Sequence, residues 1–126
     1  MTDRLNDLRD RLRAFVRERD WEQFHSPKNL AMAMIVEAAE LVEHFQWMTE
    51  EESRTISPEK FEAVSHEIAD TFVYLLRLSD VLGIDLVDAA NAKITLNAQK
   101  YPAEKVRGSN AKYTEYKDSA QDRAKD

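Results

Sequence analysis

The chain has 126 residues, no cysteine, two glycines, and 18 basic against 24 acidic side chains, a formal charge of −6. That length suits one domain with a real core, the missing cysteines exclude disulfides, thiolate metal sites and cysteine nucleophiles, and the acidic balance weighs against broad contact with a nucleic-acid backbone. Two glycines are too few for a Walker or Rossmann phosphate loop, and no apolar run approaches the roughly 20 residues of a membrane span. The opening MTDRLNDLRD lacks the apolar core of a signal peptide, so a cytoplasmic protein is expected.

Leu5, Leu8, Leu12, Phe15 and Val16 recur at helical spacing and predict a first helix from near Thr2 to Arg19 and Asp20. A non-periodic connection with large side chains follows, Trp21 to His25. Ser26-Pro27 reads as an N-cap with proline at the first helical position, opening a second helix that runs to about Met48. Ser57-Pro58 repeats the signal for a third helix, which stops at Gly83, a natural residue just past a helix end. Asp85 caps a fourth, ending at Tyr101-Pro102. Beyond Tyr116 the tail KDSAQDRAKD has no apolar residue larger than alanine and is expected to be disordered, leaving a domain over residues 1–116. The fold class is all-α, an antiparallel four-helix bundle. Its second and third helices are apolar over more than half their circumference, more than one copy covers, so an oligomer is expected.

Four carboxylates stand in unusual company. Glu37 and Glu40 interrupt the apolar stretch AMAMIVEAAELV, and Glu67 and Asp70 sit among Val64, Ile68, Phe72 and Val73. Residues three apart share a helix face. A single such pair usually marks a solvated face, but an ionised carboxylate in apolar surroundings is costly unless a positive charge meets it. If the two helices pack antiparallel, all four converge, and like charges that close take up protons or bind a cation. An oxygen-only donor set suits Mg²⁺ or Mn²⁺ better than zinc. His66 does not complete a zinc-protease motif, because the position four residues on is Asp70. His44, two turns after Glu37, is expected at the surface.

Glu37-x-x-Glu40, 26 intervening residues, then Glu67-x-x-Asp70 resembles the pattern of the MazG-like all-α nucleoside triphosphate pyrophosphatases. WEQFHSPKNL at 21–30, FQW at 45–47, the run from Glu67 to Tyr74, KITLNAQKYP at 93–102 and RGSNAKYT at 107–114 are similar to its dCTP pyrophosphatase branch. The resemblance covers roughly residues 10–116. It implies hydrolysis of a nucleoside triphosphate between the α- and β-phosphates, with Glu37, Glu40, Glu67 and Asp70 holding Mg²⁺. A triphosphate cannot approach four carboxylates without divalent metal between them, so the physics agrees. Glu37 and Glu40 are both candidates for the general base.

The resemblance further implies that Trp21 and Trp47 line a base pocket, with Phe24 shaping the same wall and His25 near substrate. Stacking on aromatic faces is a sequence-tolerant way to hold a base. It places Tyr74 against the sugar, favouring a deoxynucleotide, and gives Lys93, Asn97 and Lys100 contacts to phosphate or sugar. Lys100 stands where the family pattern has arginine, and supplies charge without the planar fork. Arg107, Ser109 and Lys112 resemble a C-terminal stretch that folds over the site. The family forms tetramers built as pairs of dimers, with pockets near subunit junctions. A different class of reading, a non-catalytic helical scaffold, leaves the paired carboxylates unexplained, and dUTP or a damaged purine is the alternative nucleotide.

Overall fold

In the computed structural model of the chain, which describes residues 3–110, every regular element is helical. Helix α1 (Arg4–Glu18) is capped by Asp3, whose carboxylate accepts from the backbone N–H of Leu5 and Asn6. It therefore starts just after the expected Thr2, because the first short acceptor able to cap the free N–H groups is an aspartate. Past Arg19 the chain turns through Asp20, at φ 54°, a left-handed conformation that aspartate tolerates better than most residues. Gln23 steadies the turn by donating to the Asp20 carbonyl and carboxylate. The connection read as irregular is in part a single 3₁₀ turn, Glu22–Phe24.

Helix α2 (Pro27–Glu43) opens as its Ser-Pro start requires, Ser26 Oγ accepting from Asn29 N–H at 3.2 Å. It ends five residues short of Met48, giving way to turns through Phe45 and Met48 and a short α3 (Glu50–Ser53) capped by Thr49. Helix α4 (Pro58–Leu82) is capped by Ser57 and closed by Gly83 at φ 70°, a conformation an L side chain resists. Then come α5 (Leu86–Lys100) and α6 (Ala103–Val106).

The chain divides into two compact units, one up to Asp85 and one from Leu86 on. In the first, α2 and α4 form the main packed pair and α1 lies against α4. Glu37 of α2 meets Glu67 and Asp70 of α4, whereas His44, further along α2, meets Lys60, earlier in α4. The pair is therefore antiparallel. Val16, Leu30, Val64 and Leu76 are the buried apolar residues among those described. This is a small core, and large apolar side chains stay outside it: Ile35 is 61% exposed, Val42 58% and Phe61 64%. The second unit contains α5 and α6, with Ile94 and Leu96 exposed. Among the described residues no helix is long and apolar enough to cross a membrane.

A charged clamp adds to the grip of α1 on α4. Arg13 grips Asp80 with two donors, Nε to Oδ2 at 2.7 Å and Nη2 to Oδ1, and Arg77 Nη1 adds a third at 3.4 Å. Hydrogen bonding from Arg13 holds the Asp80 carboxyl below its ordinary value and raises the Arg13 guanidinium above its own. A lowered carboxyl pKa contributes stability that is complete above the ordinary aspartate value of about 3.9 and lost as pH falls through the folded value. Asp80→Asn is expected to lower the thermal midpoint by a few degrees at pH 7, and the gap to the parent should narrow as acid protonates Asp80, which thermal scans across an acid pH series will measure.

Candidate active site

The packing of α2 against α4 forces acidic side chains together. One oxygen each from Glu37, Glu67 and Asp70 lies within 4.8 Å of the other two. Glu37 and Glu67 are half-buried and Asp70 is exposed. Glu37 Oε2 and Glu67 Oε2 are closed off from solvent and have no hydrogen-bond partner. Buried polar atoms are almost always satisfied, so two orphaned carboxylate oxygens at one cluster leave acceptors open to a cation or a water. Desolvation first, then a hydrogen bond with Glu40, then the charges of Glu40, Asp70 and Glu67 push the Glu37 carboxyl up to about 7. The cluster thus resists carrying its full negative charge unaided. Glu40 stands beside Glu37 rather than within the trio.

His44 is not the surface residue that its spacing predicts. Its side chain is 22% exposed, with Nε2 3.9 Å from Glu67 Oε1 and Nδ1 3.3 Å from Lys60 Nζ. An ammonium has only protons to offer, so Nδ1 accepts and the proton of a neutral ring sits on Nε2, nearest the carboxylate. Helical backbone kept up to the C-cap puts His44 here, two turns after Glu37 on the same face.

Beside the acidic cluster lies a pocket of about 230 Å³ between α1, the 3₁₀ turn and α4. Its walls are Leu12, Phe15, Val16, Trp21, His25, Val73, Tyr74, Arg77 and Asp70. Asp70 belongs to both the cluster and the pocket, so the two are one continuous site. Trp21 is positioned by Phe15, edge to face at 5.8 Å between ring centres and 73° between planes. The guanidinium of Arg19 lies over the other ring, 3.7 Å from the centre of Phe15. His25 is anchored by its backbone N–H to the Glu22 carbonyl and by its ring to Arg77, whose Nε–H donates to Nδ1 at 3.1 Å. Burial and the charge on Arg77 both lower the His25 pKa and keep the ring neutral.

Of the residues singled out in the sequence, Trp21, His25, Tyr74 and Asp70 share the pocket. Phe24 is 59% exposed and Trp47 89% exposed, and neither lines it. Phe24 falls at the end of the 3₁₀ turn, and Trp47 in the turns that follow α2. Lys93, Asn97 and Lys100 are exposed on α5 and Arg107 follows α6, all in the second unit. Lys112 and the expected disordered tail lie outside the described residues. Arg77 escaped the sequence reading, although its position three residues after Tyr74 and seven after Asp70 puts it on the same helical stripe.

The described fold is thus all-α, with carboxylates gathered from two antiparallel helices beside an aromatic, arginine-bearing pocket. Residues 32–116 match the model of the MazG-like family, and the chain belongs to that family. It is 42% identical over 113 residues to human (Homo sapiens) dCTP pyrophosphatase 1 and 41% identical to the protein of that name from Bos taurus, covering 88% of this chain in both cases. The matched part spans 66% and 67%, about two thirds, of those relatives' own length. Among solved structures it is similar to a pyrophosphatase from Archaeoglobus fulgidus DSM 4304, with 39% sequence identity and a TM-score of 0.68 over 81% of this chain and 95% of that one.

Proposed function

We propose that this protein is a Mg²⁺-dependent pyrophosphohydrolase that cleaves a deoxynucleoside triphosphate, dCTP or a modified dCTP, between the α- and β-phosphates, and so removes it from the nucleotide pool of the cytoplasm. The observation that carries the reading is the Glu37, Glu67 and Asp70 cluster, with its two orphaned buried oxygens, opening through Asp70 into an aromatic pocket. The names of the relatives point the same way.

The donor set fits a hard divalent cation. Three carboxylate oxygens gathered within 4.8 Å of one another are the all-oxygen donors such an ion takes. When bound, such an ion polarises the phosphoryl oxygen and offsets charge in the transition state. Glu37, Glu67 and Asp70 would hold it. Glu40, beside the trio and not within it, is placed to take the proton of the attacking water. His44, with Lys60 on its Nδ1, stands next to Glu67. Trp21 and Tyr74 stack against base and sugar. Lys93, Asn97, Lys100, Arg107 and Lys112 are assigned to the phosphates and sugar, and the assembly is a homotetramer, a pair of dimers.

The test is pyrophosphate release from a panel of dNTPs and NTPs, with Mg²⁺ and with EDTA. Metal-dependent release led by dCTP is the expected result. No release from any nucleotide by a folded oligomer would leave the scaffold reading, and release led by dUTP would reassign the base.

A further inference from the structure

We infer that Arg77 and His25 act together as a paired hydrogen-bond donor that reads two adjacent acceptors on a pyrimidine edge, N3 and O2 of cytosine, and thereby determine which base the pocket takes. This rests on the nucleotide reading above and deepens it to the choice of base.

Three features of the site carry the inference. First, the contact from Arg77 Nε to His25 Nδ1 at 3.1 Å fixes the histidine tautomer. A guanidinium is always protonated and can only donate, so Nδ1 must accept, and the proton of a neutral imidazole then resides on Nε2. His25 therefore enters the pocket as a donor. The lowered His25 pKa agrees with a neutral ring.

Second, Arg77 is held without being used up. Its side chain is 11% exposed; Nε is committed to His25 and Nη1 reaches Asp80 at 3.4 Å. Arg13 already grips both oxygens of Asp80, so that carboxylate fixes Arg77 in place while answering mainly to another arginine. Of the five N–H donors on the guanidinium, three are committed to neither partner.

Third, both residues line the same pocket as Trp21 and Tyr74, and its carboxylate, Asp70, is engaged in the acidic cluster. A flat ring stacked there meets donors. Cytosine offers N3 and O2 side by side as acceptors. Uracil and thymine carry a proton on N3, between two carbonyls, so a donor would face a donor. A well-placed pair of donors discriminates between bases by roughly 10–100-fold.

The test compares kcat/KM for dCTP and dUTP, by pyrophosphate release with Mg²⁺, in the wild-type protein and in Arg77→Met, which keeps the apolar stem and removes the donors. The His25 tautomer in the wild-type protein is read in parallel from ¹⁵N NMR. Expected are a wild-type preference for dCTP, a roughly 10–100-fold fall of the dCTP/dUTP ratio in Arg77→Met, and a proton on Nε2. Arg77→Gln replaces the methionine variant if thermal scans show the latter unfolded. An unchanged ratio, an equal fall for both nucleotides, or a proton on Nδ1 in the wild type would overturn the inference and leave the hydrolase standing. Failure of the wild type to release pyrophosphate from either nucleotide is the separate result that removes the hydrolase as well.

Discussion

Replacing Glu37 by glutamine is expected to abolish pyrophosphate release while making the metal-free protein more stable at pH 8. The two effects share one cause. Glu37 contributes an oxygen to the acidic cluster, has its Oε2 buried without a partner, and stands among Glu40, Glu67 and Asp70. Changes to residues that only support a metal ligand already cost about 10–100-fold in affinity or activity, so loss of a ligand should exceed that. In the metal-free protein the Glu37 charge is a liability, which is why its carboxyl is pushed up to about 7. A carboxyl whose folded pKa lies above its unfolded value binds more protons in the native state. Wild-type stability without metal should therefore fall as pH rises from about 4.5 through about 7. In Glu37→Gln that decline should disappear, with a thermal midpoint several degrees above wild type at pH 8. Adding Mg²⁺ should raise the wild-type midpoint most at high pH, where no proton competes, and barely move the variant. Thermal scans at pH 5.5 and 8, with Mg²⁺ and with EDTA, check both halves. A variant less stable than wild type in EDTA at pH 8 would mean that Glu37 is a structural residue, not a strained ligand.

How far the site can be read from sequence depends on what holds each residue. The Ser-Pro starts at Ser26 and Ser57 and the stop at Gly83 are local devices, and each operates within a turn of its own position, so the limits of α4 follow from sequence alone. The end of α2 does not. Leu41, Val42 and Phe45 keep up an apolar pattern across Glu43, and a pattern cannot show that the chain leaves the helix for turns beyond His44. Glu37, Glu67 and Asp70 are legible because charge amid apolar residues is an energetic anomaly visible in one dimension. Arg77 and Asp80 are invisible for the opposite reason. An arginine and an aspartate three apart look like an ordinary surface pair, and only the packing of α1 brings Arg13 to Asp80 and His25 to Arg77.

Trp47 yields the second large effect. Its side chain is 89% exposed, whereas burying an indole of roughly 200 Å² stabilises by about 4–5 kcal/mol. It stands in the turns after α2, next to a helix whose Ile35 and Val42 are also open. Where pockets lie near subunit junctions, as the family resemblance implies, Trp47 would complete the base pocket of a neighbouring copy. Trp47→Ala should then leave protomer stability within about 0.5 kcal/mol of wild type, as for an exposed residue, yet weaken nucleotide binding by about 1–3 kcal/mol through the lost stacking face. Complementation separates a pocket built from two chains from one built within a single chain. Glu37→Gln has an intact Trp47 and no working cluster, and Trp47→Ala has the reverse. If each site draws on two chains, co-expressed subunits form mixed oligomers in which a sound cluster meets a sound tryptophan, and activity well above either variant alone returns. If Trp47 serves only its own chain, every site in the mixture carries one defect and no activity is recovered. Pyrophosphate release from the co-purified mixture, set against the two separate variants at equal protein, decides between them.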